Sequence, residues 1–153
     1  MTDDLKELIG SLRSHKVDFL VVGPVALTVH ARPRYTEDLD LWIRRTEENV
    51  DRLRAALEAC GFPVVKGALS DFVDKDRQMI ILGAAPQAVD LLNFLGGVEF
   101  DPAWEKRVPG LLWGQEVDFI GRDDFIASKE AAGRPKDLAD LALLQEVESA
   151  NDP

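Results

Sequence analysis

Cysteine is nearly absent: Cys60 stands alone among 153 residues, which excludes an intramolecular disulfide framework and fits a reducing compartment. Its place at the end of a helical pattern, just before Gly61, suits a buried packing thiol rather than a nucleophile. Histidine is almost as scarce. His15 and His30 stand at no ligand spacing from each other or from the cysteine, so zinc is not expected, and no Ser-His-Asp or Cys-His arrangement can be assembled. Long apolar runs are missing too. None approaches the ~20 residues a membrane span needs, and the acidic start Met1-Thr2-Asp3-Asp4 lacks the basic region of a signal peptide. A cytoplasmic protein with no membrane partner is expected. Basic charge is also in deficit: 18 Lys and Arg face 28 Asp and Glu, a formal net charge of −10. A broad nucleic-acid face is thereby disfavoured, because such faces bind largely by neutralising phosphates. A local strip of Arg32, Arg34, Arg44 and Arg45 at a cleft rim would be compatible with that charge.

What is present describes one ordinary folded domain. Hydrophobic residues make up 46% and charged residues 30%, the composition of a globular chain, and the length suits a single core. The spacing of Leu5, Leu8, Ile9 and Leu12 predicts a first helix. A buried strand over 18–22 ends at Gly23, a short helix over 25–31 enters through Pro24, and a second strand covers 39–43. Thr46 is the expected N-cap of a helix with the stripe Val50, Leu53, Leu57, closed at Gly61. Short β runs follow at 64–65, 79–82 and 88–92, the last two joined by the turn Gly83-Ala84-Ala85-Pro86. Residues 70–78 read as a turn or irregular edge, and 99–115 as a Gly- and Pro-punctuated stretch holding Trp104 and Trp113. A strand at 117–120 precedes two helices, the first capped by Asp123 and closed by Gly133, the second opened by Pro135. The class is α/β: a mixed sheet flanked by helices, with a C-terminal helical pair. Residues 1–148 form one domain, a core over 1–98 with an addition over 99–148, and 149–153 form a tail.

The chemistry concentrates around 17–43. In the strand Leu39-Asp40-Leu41-Trp42-Ile43 and the Asp38 before it, side chains alternate, so Asp38 and Asp40 share one face while Leu39, Leu41 and Ile43 share the other. Two adjacent carboxylates repel unless a cation lies between them. Mg²⁺ suits the pair, since it takes one or two carboxylates and completes its shell with phosphate oxygens and water. Gly23, before a helix N-terminus, permits close backbone approach of phosphates. Asp90 lies inside an apolar run between Val89 and Leu91, where a carboxylate is costly unless it is paired, hydrogen-bonded or bound to metal. It is the candidate third acid.

These features resemble the nucleotidyltransferase superfamily of the DNA polymerase β type. More narrowly, Arg34-Tyr35-Thr36-Glu37-Asp38-Leu39-Asp40 together with Lys129-Glu130-Ala131-Ala132-Gly133-Arg134-Pro135-Lys136-Asp137-Leu138-Ala139-Asp140-Leu141 is similar to the bacterial AbiEii-like and related nucleotidyltransferase families. The likeness runs from about Val17 to Leu144. It implies metal-dependent transfer of a nucleoside monophosphate from an NTP to an acceptor hydroxyl. Two Mg²⁺ ions, or Mn²⁺ in their place, would be held by Asp38, Asp40 and Asp90, the catalytic and metal-binding set. Gly23, Pro24, Arg34, Thr36 and Lys129 would bind the nucleotide. The acceptor is left open by the resemblance; because related families include toxins of toxin–antitoxin pairs, a tRNA or a partner protein is among the candidates.

One departure from the family pattern bears on activity. Gly23-Pro24 stands where Gly-Gly or Gly-Ser is usual, so one backbone N–H that could reach a phosphate is missing. The alternative is therefore a catalytically inactive protein of the same fold, acting by binding or as an antitoxin-like partner. Structural readings of single residues also stand open. Gly23 could simply end a strand, Asp90 could pair with Arg32 or Arg34, and Lys129, Arg134 and Asp137 could stitch the last two helices together.

Overall fold

Four successive apolar residues, Phe19-Leu20-Val21-Val22, can be buried on both faces only inside a sheet, and β1 (Phe19–Val22) is buried along its whole length. Beside it stand β2 (Asp38–Ile43), β3 (Met79–Ala84), β4 (Gln87–Leu92), β5 (Val108–Leu112) and β6 (Gln115–Phe119), in the order β3-β4-β2-β1-β6-β5. The computed structural model describes residues 3–26, 38–62, 64, 67–84 and 87–151. Arg34 and Thr36, with Arg32 and most of the helix expected over 25–31, lie outside the described residues.

The sheet is mixed, as its sequence pattern predicts. β1 runs antiparallel to β2 and parallel to β6, β2 runs parallel to β4, and β3–β4 and β5–β6 are antiparallel pairs. Strands from both sides of residue 98 thus belong to one sheet. One face carries Phe19, Val21, Leu39, Leu41, Ile43, Leu82, Val89, Leu91 and Phe119, all buried. They form a single core with the stripes of α1 (Asp3–Ser14) and α2 (Glu47–Ala59), whose Leu8, Ile9, Leu12, Val50, Leu53 and Leu57 are fully buried. Ser11 Oγ donates to Ala56 O at 2.7 Å and ties the two helices together.

Two buried asparagines fix the strand ends. Asn49 accepts from Asp18 N at 2.7 Å and donates to Asp18 O and Arg44 O at 3.0 and 2.8 Å. It satisfies backbone groups at the start of β1 and the end of β2 that would otherwise be buried without partners. Asn93 does the same after β4, accepting from Gln78 N and donating to Phe72 O and Lys75 O. Thr46 caps α2 as expected, its Oγ1 accepting from Asn49 N at 3.3 Å.

Several expectations are corrected. The stretch 70–78 is not an irregular edge: α3 (Ala68–Asp74) occupies most of it, because Leu69 and Phe72, three apart, are both buried. Val64 lies in no strand, and Val65 is outside the described residues. Within 99–115, α4 (Phe100–Glu105) and β5 replace the irregular stretch. Phe100 meets Trp42 edge-on at 5.0 Å and stacks on Trp104 at 5.6 Å, with the Arg44 guanidinium over the Phe100 ring. Trp104 is thus an anchor for packing, whereas Trp113 is partly exposed in the β5–β6 turn. The penultimate helix, α5 (Arg122–Ala132), is capped by Gly121 rather than Asp123. A Cβ on Gly121 would lie 2.7 Å from Lys106 O, so close packing favours glycine at a helix start two residues earlier than the carboxylate suggests. Gly133 closes α5 and Pro135 opens α6 (Pro135–Asn151), both as expected.

Candidate active site

β1 delivers the chain to its turn beside the second strand's acids. Val22, its last residue, faces Asp40 in the β1–β2 ladder, and Gly23–Ala26 then forms a single 3₁₀ turn. Gly23 has φ +70°, and a Cβ there would overlap Asp40 Oδ2 and lie 3.1 Å from Asp40 Cγ. The glycine is therefore required twice, by its backbone conformation and by the carboxylate packed against it. This is more than the ending of a strand.

Asp40 pairs in register with Asp90 across the parallel β2–β4 ladder. Neighbouring strands lie about 4.8 Å apart, so two acids from distant parts of the chain stand side by side on one face. Asp38, which opens β2 opposite Ala88, has the ladder parity of Asp40. Asp90 is partly buried, and among the described residues its carboxylate makes no hydrogen bond or ion pair. A half-buried carboxylate with no partner among the described residues is suited to a cation or a ligand. Among the described residues no group of three His, Cys, Asp or Glu is placed to hold a metal ion. The described donors are the two carboxylates of Asp40 and Asp90, hard oxygen ligands of the number Mg²⁺ takes when substrate phosphates and water supply the rest. The donor chemistry fits that ion.

Lys129, which the resemblance places near the nucleotide, is engaged by two carboxylates in this structure. It is buried on α5, its Nζ 3.2 Å from Asp137 Oδ1 and 3.2 Å from Asp140 Oδ2, with the Phe125 ring 5.6 Å away. Asp137 also accepts from Arg134 N at 3.1 Å and Arg134 Nε at 2.6 Å, the reaching-back half of a capping box at the start of α6. Two cations and two carboxylates thus join α5 to α6, and the stitching role expected for Arg134 and Asp137 is realised. Burial lowers the Lys129 pKa against the pull of Asp137. Burial pushes Asp137 upward, but hydrogen bonds from Arg134 and Lys129 outweigh it and hold the carboxyl below its ordinary value. The Asp40 charge acts on both Lys129 and Arg134, so this cluster borders the acid face. It is held there by the loop after β4. A Cβ on Gly97, at φ +76°, would come within 3.0 Å of Ala131 Cβ and 3.3 Å of Ala127 O on α5.

Asp140 belongs to the C-terminal motif without an assigned role there, although its spacing of three from Asp137 places both on one helix face. Met79 and Ile81 have no role assigned from the sequence either. They face Leu92 and Asp90 in the β3–β4 ladder and are 54% and 58% exposed. The pairing of β3 with β4 sets this outer face beside the acids.

Several solved structures are similar to this chain in fold. The lincosamide antibiotic adenylyltransferase LnuA, bound to lincomycin, matches 96% of this chain and 98% of its own with a TM-score of 0.62 at 13% identity. The antibiotic-resistance factor ANT(2'')-Ia matches 92% of this chain and 80% of its own, with a TM-score of 0.59 at 15% identity. The fold is that of the nucleotidyltransferases. A second structure of ANT(2'')-Ia, holding adenylyl-2''-tobramycin, matches 95% of this chain and 91% of its own with a TM-score of 0.56 at 14% identity. No protein-family profile matches the sequence, and no curated protein does. The expected nucleotidyltransferase fold is present, while the AbiEii-like relationship has no support among these matches. Among the described residues, no helix is long and apolar enough to cross a membrane.

Proposed function

We propose that this protein transfers a nucleoside monophosphate from an NTP to an acceptor hydroxyl. The observation that carries the reading is the side-by-side placement of Asp40 and Asp90 beside the Gly23 turn, within a nucleotidyltransferase fold. Fold alone would not suffice, since one fold hosts many chemistries. Asp38, Asp40 and Asp90 would hold Mg²⁺, in one or two ions, or Mn²⁺. Bound there, the ion would neutralise triphosphate charge and favour ionisation of the acceptor hydroxyl.

The chain's own groups supply the rest. The backbone turn at Gly23 lets phosphates approach without a side chain in the way, although Pro24 offers no N–H to them. Arg34 and Thr36 remain proposed phosphate contacts. Lys129 contributes through its field rather than by direct contact, being committed to Asp137 and Asp140. As the acceptor oxygen bonds to the α-phosphorus and the bond to the bridging oxygen breaks, pyrophosphate leaves and the hydroxyl proton passes to Asp90. The matched antibiotic-modifying proteins favour a small-molecule acceptor over a tRNA or a partner protein, and a toxin–antitoxin role draws no support from them.

A second reading rests on Pro24: a protein that keeps the fold and has lost turnover. Calorimetric titration of each of the four NTPs with Mg²⁺ separates the two. Metal-dependent binding to the wild type that is lost in Asp40→Ala and at least tenfold weaker in Asp90→Asn is expected. If no NTP binds, or if binding survives both substitutions, the transferase reading fails and the non-catalytic one stands.

A further inference from the structure

Across four strands the acid face presents one row: Ile81, Asp90, Asp40 and Val22, each paired in register with the next. The row below it is Met79, Leu92, Trp42 and Leu20. Trp42 and Leu20 are buried, so the open part of this face is its β3 edge, where Met79 and Ile81 are more than half exposed. Their neighbours Ile80 and Leu82 turn the other way, into or against the core. An edge strand ordinarily guards its solvent face with charge or proline. Here an isoleucine and a methionine lie exposed, one strand from Asp90.

We infer that Met79 and Ile81 form the ledge on which the acceptor's apolar part rests, and that the acceptor is a small alcohol, uncharged or cationic, with an apolar segment beside its hydroxyl. The inference rests on the transferase reading above. Ile81 lies about one strand spacing, ~5 Å, from Asp90 and about twice that from Asp40. A molecule lying with its apolar segment on the ledge would therefore put a hydroxyl at Asp90 within the reach of one ring and a short chain. Methionine suits such a surface because its unbranched, polarisable side chain adapts to differently shaped apolar partners. Charge excludes the opposite class. Asp40, Asp90 and Asp38 by ladder parity on this face, and a net charge of −10, repel an anionic acceptor such as a nucleic-acid backbone.

Three sugars test the ledge by methyl-detected NMR of the full chain, labelled at isoleucine and methionine methyls. Hexyl β-glucoside has an apolar chain beside its hydroxyls, methyl β-glucoside has the hydroxyls without the chain, and glucose 6-phosphate carries the wrong charge. Hexyl glucoside is expected to shift the Ile81 and Met79 signals at concentrations at least about tenfold below those needed with methyl glucoside, since each methylene removed from water is worth about fourfold. Glucose 6-phosphate is expected to leave them unmoved. In Met79→Gln/Ile81→Thr, whose exposed positions tolerate polar side chains, the hexyl glucoside response at the Asp90 backbone amide should weaken by a similar factor.

Equal responses to the hexyl and methyl sugars, or no response to either, would overturn the ledge. So would methyl shifts that follow protein dilution and not added sugar, which would mean that a second copy covers it. A ledge response in a protein that binds no NTP would instead overturn the nucleotide reading alone.

Discussion

Gly23→Ala tests the site's geometry more sharply than removing a carboxylate does. The new methyl meets two obstacles that can be separated. The backbone at φ +70° disfavours any side chain, at a cost of about 1–2 kcal/mol. The Cβ would also overlap Asp40 Oδ2, so the carboxylate must move by roughly 1 Å to restore van der Waals contact. That displacement is worth about another 1 kcal/mol if Asp40 rotates off its preferred rotamer. The sum, about 2–3 kcal/mol, corresponds to a fall in Tm of roughly 4–12 °C for a chain of this size.

The decisive assay is a double-mutant cycle read by denaturant unfolding. In Gly23→Ala/Asp40→Ala the obstructing carboxylate is gone, leaving Asp40 Cβ as the nearest atom at 3.2 Å. The steric part should disappear and the backbone part remain, giving a favourable coupling of about 1 kcal/mol. Additive single effects would refute the claim that the glycine is required by the carboxylate. A Gly23→Ala protein within about 0.5 kcal/mol of wild type would refute the backbone part as well. In NTP titrations Gly23→Ala alone should weaken binding severely, because a shift of this size at a positioned group can cost on the order of a hundredfold.

Two further outcomes concern the cluster between α5 and α6. Lys129→Met leaves the buried Asp137 and Asp140 without one of their cations and should destabilise the protein by about 3–5 kcal/mol. Restored stability in Lys129→Met/Asp140→Asn would confirm the cause, whereas an unchanged Tm in the single variant would contradict it. Acid unfolding should show the depressed pKa of Asp137: its contribution is complete above the ordinary carboxylate value, about 4, and is lost as pH falls through the lower folded value. Asp137→Asn should therefore flatten the stability profile below about pH 4, and an equally steep profile in that variant would exclude Asp137 as a source of the slope.

Much of this molecule is legible in the chain itself, for reasons of periodicity and punctuation. Leu5, Leu8, Ile9 and Leu12 announce a helix because spacing along a helix is local, and Thr46, Gly133 and Pro135 mark helix ends through short-range hydrogen bonding and fixed dihedrals. The doubled acid of β2 and the lone acid of β4 are equally visible, since a charge inside an apolar strand is conspicuous wherever the strand goes. Local pattern misleads where burial decides. Residues 70–78 look polar, yet Leu69 and Phe72 find a core to enter and a helix forms. Asp123 is the better capping residue on paper, yet contact with Lys106 O places Gly121 there.

Only the tertiary structure could decide register. Asp40 and Asp90 are 50 residues apart in the sequence, and a slip of one residue in the β2–β4 ladder would set Asp40 beside an apolar neighbour facing the core. Lys129 had an ammonium suited to phosphate, but burial next to Asp137 and Asp140 commits it to them, because an unpaired charge there would be too costly. Gly23 had the freedom to turn; the carboxylate against its α-carbon made that freedom a requirement. The sequence supplies the groups and their local conformations, while the side-by-side acids and the apolar edge beside them exist only once long-range pairing has brought strands from distant parts of the chain into one sheet.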